Sequence, residues 1–173
     1  MKFFSGFSLK NEEYLFELYL DTSSYTVSGF SYGAIKALNT TLKMIDNSQR
    51  VDRLQLLSPA FFQTKDEKFK RLQLMSYKKN ELLYMKQFLG GCFYPYEQKI
   101  VENIETDISD LKELLEYEWS LETLKKIEAH GVKIEVYLGG KDAIIDADAA
   151  KEFFLEVSTV TYIKEANHFL QLS

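Results

Sequence analysis

The 173-residue sequence predicts an α/β protein of about five parallel strands with an all-helical insertion after the third. Short β-rich runs near 2–6, 25–30, 53–58, 132–138 and 159–164 alternate with helical patterns near 11–20, 32–45, 121–130 and 146–157, and strands separated by helices pair in parallel. A glycine-flanked serine, Gly29-Phe30-Ser31-Tyr32-Gly33, stands where the second run turns into a helix. Residues 65–118 hold no strand run, although they separate the third strand from the fourth.

Each element has a local cause. Tyr25-Thr26-Val27-Ser28 is β-prone, and the helix after it, opening on Ala34-Ile35-Lys36-Ala37-Leu38, places Ile35, Leu38 and Leu42 on one stripe. The insertion reads as two or more helices broken around Gly90-Gly91 and Pro95, the second with Ile100, Ile104, Ile108, Leu111 and Leu115 at helical spacing. Ser120 is an N-cap for the helix over 121–130 and Gly131 its stop. Residues 1–64 and 119–173 thus form the core of a single domain, with 65–118 as a lid over the sheet edge. In the strands, Arg53/Gln55, Lys133/Glu135 and Thr159/Thr161 alternate with Leu54/Leu56, Ile134/Val136 and Val160/Tyr162, so one sheet face is partly polar. Strands in chain order, joined by right-handed crossovers, place every connecting helix on one side. The other face is expected to be thinly covered and open to a second subunit, as in a homo-oligomer.

A net charge of -5 argues against nucleic acid as a partner. No stretch approaches the roughly 20 apolar residues of a membrane span, and the apolar start Met1-Lys2-Phe3-Phe4 is broken at once by Ser5-Gly6, too soon for a signal peptide. The single cysteine, Cys92, forms no internal disulfide and anchors no thiolate metal site, which favours a reducing cytoplasm. No metal and no cofactor are called for. Charge is uneven along the chain: Lys65 to Lys86 holds seven basic and three acidic residues, whereas Glu97 to Glu128 holds four basic and ten acidic.

The glycine-flanked serine reads as a nucleophile elbow. Its turn strains the backbone at Ser31 and leaves no room for side chains two residues on either side. Serine needs a base to take its proton and an acid to orient that base. Of two histidines, His130 ends a helix at the opposite sheet edge, whereas His168 follows the last strand at the same edge as Ser31. Asp142, after Gly139-Gly140 at the end of the fourth strand, is the acid; Asp146 and Asp148 compete, but the first reads as a helix cap and the second lies in that helix's first turn. The N–H of Tyr32 and that of Phe7, in the loop after the first strand, are the candidate oxyanion donors. Cys92 has no visible partner base.

These residues resemble the α/β-hydrolase superfamily, and more narrowly the pimelyl-[acyl-carrier protein] methyl ester esterases of biotin synthesis. The likeness lies in Phe4-Ser5-Gly6-Phe7-Ser8-Leu9-Lys10-Asn11-Glu12, in Val27 to Ala34, and in Gly139-Gly140-Lys141-Asp142 with Ala166-Asn167-His168. The first stretch is similar to the family's His-Gly-Trp-Gly loop, with Ser5 for histidine and Phe7 for tryptophan. The resemblance implies a serine carboxylesterase with Ser31 as nucleophile, His168 as base and acid, Asp142 as orienting carboxylate, and an oxyanion hole from Phe7 and Tyr32. Strands usual before the oxyanion loop are absent and a strand and helix between 20 and 25 are missing, a reduced form of the fold that resembles a compact variant of these esterases. Acyl-carrier protein is acidic. Lys65, Lys68, Arg71, Lys78, Lys79 and Lys86 would share one arc if 65–89 were an unbroken helix, as a carrier-docking stripe or a solvated face, with Ser76 and Asn80 as the candidate breaks in that helix. Phe61, Phe62, Tyr84 and Phe88 line an acyl channel or are plain core. An acyl thioesterase, a small-ester esterase, and a catalytically silent binding domain of the same fold stay open.

Overall fold

The β-prone runs pair as one sheet and most of the intervening residues are helical in a computed structural model that describes residues 1–173. In chain order the elements are β1 (Lys2–Phe4), β2 (Leu9–Lys10), a 3₁₀ turn (Glu12–Phe16), β3 (Thr26–Phe30), α1 (Tyr32–Asp46), β4 (Arg53–Leu57), α2 (Glu67–Lys79), α3 (Glu81–Phe93), β5 (Glu102–Asn103), α4 (Ile108–Glu116), α5 (Leu121–Ala129), β6 (Lys133–Gly139), α6 (Ala147–Phe154) and β7 (Thr159–Ile163). The sheet has the order β1-β3-β4-β6-β7, all parallel. Caps bound α5 where the sequence marks them. Ser120 Oγ accepts the Thr123 N–H at 3.3 Å, and Gly131 takes the left-handed φ of 81° that ends α5.

Register sorts the two faces. Ser28, Gln55 and Glu135 stand in one row and Thr26, Arg53 and Lys133 in the next, while Val27, Leu54, Leu56, Ile134 and Val136 face the other way into the main core with Ile35 and Leu38 of α1 and Phe154 of α6. The polar face is less bare than expected, because the β1–β3 connection crosses it instead of joining the helices on the apolar side. Phe16 packs on Phe30 with ring centroids 4.8 Å apart. The Tyr19 carbonyl accepts from Gln55 Nε2 at 2.9 Å. An apolar plug and the Gln55 amide therefore cover the centre of this face, and the exposed remainder lies at Lys133 of β6 and at Thr159 and Thr161 of β7.

Three expectations are corrected. The helix expected over 11–20 is a 3₁₀ turn at 12–16. The lid contains a strand, β5, which pairs antiparallel with β2, so Ile100 and Ile104 are not on a helix; they are exposed, and α4 begins at Ile108. Gly90-Gly91 lies inside α3 rather than breaking it, and the helix break falls at Asn80, whose side chain accepts the Leu83 N–H at 3.0 Å and so starts a new helix.

Candidate active site

The elbow sits between β3 and α1. Ser31 has φ 51° and ψ −114°, a backbone conformation that costs about 1–3 kcal/mol for a non-glycine residue. It is held there by its N–H to the Leu57 carbonyl at 2.9 Å and by its carbonyl accepting from Ala60 at 3.1 Å. A Cβ on Gly33 would strike the carbonyls of Phe4 and Ser5. Glycine at that position therefore lets the loop after β1 close onto the elbow.

His168 Nε2 lies 3.1 Å from Ser31 Oγ, and His168 Nδ1 lies 2.6 Å from Asp142 Oδ2. The carboxylate accepts, so Nδ1 carries the hydrogen and Nε2 is free to accept from the serine hydroxyl. Asp142 is itself fixed: its other oxygen accepts the N–H groups of Ile144 at 2.8 Å and Ile145 at 3.1 Å. The loop bearing His168 reaches β6 closely because Gly139 has no Cβ to collide with the Ala166 and Asn167 carbonyls. Asn167 ties that loop to the lid through the Phe93 carbonyl at 2.8 Å. The imidazole has no exposed surface and packs 5.0 Å from the Phe30 ring. Asp146 instead caps α6 by accepting the Ala149 N–H, Asp148 accepts from the Tyr162 hydroxyl, and His130 ends α5 with Nδ1 at 2.8 Å from the Lys126 carbonyl.

Neither Phe7 nor Tyr32 gives its N–H to another backbone group, and both residues are buried. An N–H without an acceptor in the protein is left available to another acceptor. The Tyr32 N–H opens the 15-residue α1, so the helix N-terminus adds to its pull on negative charge. Both residues send their side chains into the lid. The Phe7 ring meets Phe88 at 6.0 Å and Tyr77 at 6.2 Å, while the Tyr32 hydroxyl lies 3.0 Å from Asp110 and 2.5 Å from Glu113. Burial and these two carboxylates push the Tyr32 phenol upward. On the loop itself, the Ser8 carbonyl accepts the Ile104 N–H at 3.0 Å, and Ser8 Oγ bonds Thr106 Oγ1. Sequence reasoning missed these lid contacts.

No family model and no curated protein matches the chain. Solved structures do match. Naproxen esterase from Bacillus subtilis superposes with a TM-score of 0.53 at 21% identity, over 96% of this chain and 62% of that one. Bromoperoxidase from Bacillus anthracis gives 0.59 at 14% identity over 83% and 60%, and BioG from Haemophilus influenzae gives 0.55 at 12% identity over 97% and 87%. The chain has the α/β-hydrolase fold. At these identities the likeness is one of fold. The chain spans 54–62% of the length of three Bacillus and Exiguobacterium hydrolases and esterases that it matches.

In this α/β-hydrolase fold a cavity of about 410 Å³ lies between the lid and the Asp142 loop. Phe62, Tyr84, Phe88 and Lys65 line it, with Ala143 and Ile144 from beside Asp142. Phe61 does not. Its ring packs on Phe153 and Phe154 at 5.6 and 6.0 Å, so it belongs to the core against α6. Burial pushes the Tyr84 phenol up to about 12. The expected basic arc is divided. Lys65 precedes α2 and lies 5.6 Å over the Phe69 ring; Lys68, Arg71, Lys78 and Lys79 are exposed on α2, and Lys86 is exposed on α3, a separate helix. Exposed Leu72, Met75, Leu82 and Leu83 lie among them. Cys92 is fully buried, and burial together with nearby Asp142 pushes its thiol well up. It is therefore a poor nucleophile. No helix is long and apolar enough to cross a membrane.

Proposed function

We propose that this protein is a serine carboxylic ester hydrolase whose substrate is an acyl ester borne on acyl-carrier protein, and specifically the methyl ester of a pimelyl chain. The observation that carries the hydrolase reading is the alignment of Ser31 Oγ, His168 and Asp142 through contacts of 3.1 and 2.6 Å. Phe7 and Tyr32, whose rings lie 6.5 Å apart and whose N–H groups go to no other backbone group, support it. In this reading His168 Nε2 takes the Ser31 proton as the oxygen attacks the ester carbonyl, and the N–H groups of Phe7 and Tyr32 receive the oxyanion. The imidazolium then protonates departing methanol. Water, deprotonated by the same nitrogen, attacks the acyl-enzyme and returns free acid and Ser31.

The carrier and the substrate rest on coarser support. The sequence resembles pimelyl-[acyl-carrier protein] methyl ester esterases, and the fold likeness to BioG runs over 97% of this chain and 87% of that one. Exposed Lys68, Arg71, Lys78 and Lys79 on α2 suit an acidic partner even though the arc is broken at Asn80. The cavity lined by Ala143 and Ile144 has room for an aliphatic chain, and it lies next to the triad without Ser31, His168 or Asp142 in its wall. Purified protein offered the carrier-borne methyl ester, the free small ester and the matching acyl thioester tests the reading. Methanol release fastest from the carrier-borne ester is expected. Methanol from the free ester alone would remove the carrier, and preferential thioester cleavage would make the protein a thioesterase.

A further inference from the structure

We propose that Glu12 is a positioning residue for the oxyanion hole, acting through Gly6 on the Phe7 N–H. The inference rests on the ester-hydrolase reading above. Glu12 has no exposed surface, which is uncommon for a glutamate. One carboxylate oxygen accepts the Gly6 N–H at 2.7 Å, and the other has no hydrogen-bond partner. Burial pushes its carboxyl up from the ordinary value, the N–H groups of Gly6 and of Glu12 itself and the Ser5 hydroxyl pull it only partly back, and no basic side chain contributes. A buried carboxylate so poorly compensated opposes folding. A residue serving packing alone would be apolar here, as its neighbours Leu9 and Phe16 are.

The bond acts at the one point where the loop would otherwise be loose. Gly6 lacks a Cβ and could take many backbone angles. It has to be glycine, because a Cβ would come within 2.8 Å of the Phe30 ring. Glu12 grips its N–H, and the Leu9 N–H grips its carbonyl at 3.2 Å. Both peptide planes that flank Gly6 are thereby held. The second of those planes carries the Phe7 N–H, so fixing Gly6 aims the donor at the oxygen of a tetrahedral intermediate.

The test compares Glu12→Ala and Glu12→Gln with wild type in turnover of a small soluble ester and in affinity for a boronic acid, which forms a tetrahedral adduct with a catalytic serine. Losing one oxyanion donor costs on the order of 10²–10³ in rate, so a misaimed one in Glu12→Ala is expected to lower kcat about 10- to 100-fold. KM should move by less than about twofold, and boronate affinity should fall by the same factor as kcat. Glu12→Gln keeps an oxygen acceptor for Gly6 and is expected to stay within about threefold of wild type. Should Glu12→Ala fail to fold, Glu12→Met fills the site without a carboxylate acceptor and carries the same expectation. A folded Ala or Met variant with wild-type kcat and boronate affinity would overturn the proposal while leaving the hydrolase reading intact. Wild-type protein that neither turns over ester nor binds boronate would overturn both.

Discussion

Buried carboxylates at the rim of the sheet and on its polar face are treated in opposite ways. On the face, Glu135 meets Lys133 at 2.7 Å and Arg53 at 3.4 Å, and Arg53 also meets Asp21 at 3.2 Å. At the rim, Asp142 and Glu12 meet no lysine or arginine; they accept from backbone N–H groups and, for Asp142, from one imidazole. Their protonation follows. Burial would raise the Glu135 carboxyl, but Lys133, Gln55 and Arg53 together hold it below the ordinary value, whereas burial wins at Glu12. Charge is neutralised where it serves stability, and it is left to aim N–H groups and a base where it serves the proposed chemistry.

The largest expected effect comes from the rim. Asp142→Asn should lower ester turnover about 10⁴-fold with the fold intact, because the amide stabilises the wrong imidazole tautomer. Stopped-flow or steady-state kinetics beside a thermal melt would show it, and a variant lost in stability alone would break the contrast. On the polar face the reverse holds. Glu135→Ala should reduce unfolding free energy by about 1–3 kcal/mol, since it strips acceptors from Gln55 and Arg53, with kcat unchanged.

The pH dependence of unfolding sharpens the same contrast. A depressed carboxyl gives stability that is complete above its ordinary value of 4.5 and is lost as pH falls through the lower folded value, so Glu135→Gln should flatten the acid limb. A raised carboxyl does the opposite. Glu12 contributes fully below 4.5 and that contribution is lost as pH rises through the folded value, so Glu12→Gln should remove a decline above 4.5. Urea unfolding at several pH values separates the two. The smallest effect is expected from Tyr32→Phe, which keeps the N–H but frees α4 of the phenol bonds to Asp110 and Glu113. Turnover should fall about two- to fivefold, with faster amide exchange confined to α4.

The elbow and its partners were readable because their signals are local. Gly29-Phe30-Ser31-Tyr32-Gly33 is one contiguous motif, in which a Cβ on Gly29 would strike the Gly33 carbonyl within the turn itself, and Asp142 and His168 each lie just past a strand end. What escaped reading depends on contacts between distant segments. The β2–β5 pair is two residues long on each strand, too short for any periodicity. Glu12 stands in Lys10-Asn11-Glu12-Glu13, which looks like a solvated charge run until the fold buries one member and exposes the next. Phe61 looked like its neighbour Phe62, and only packing against α6 separates core from cavity wall.

Covalent labelling tests the central claim most directly. Wild-type protein treated with a fluorophosphonate and analysed by peptide mass spectrometry should carry one adduct, on Ser31, and Ser31→Ala should carry none. No adduct on the wild type, or equal labelling of the two proteins, would contradict the assignment of Ser31, His168 and Asp142 as a working catalytic unit.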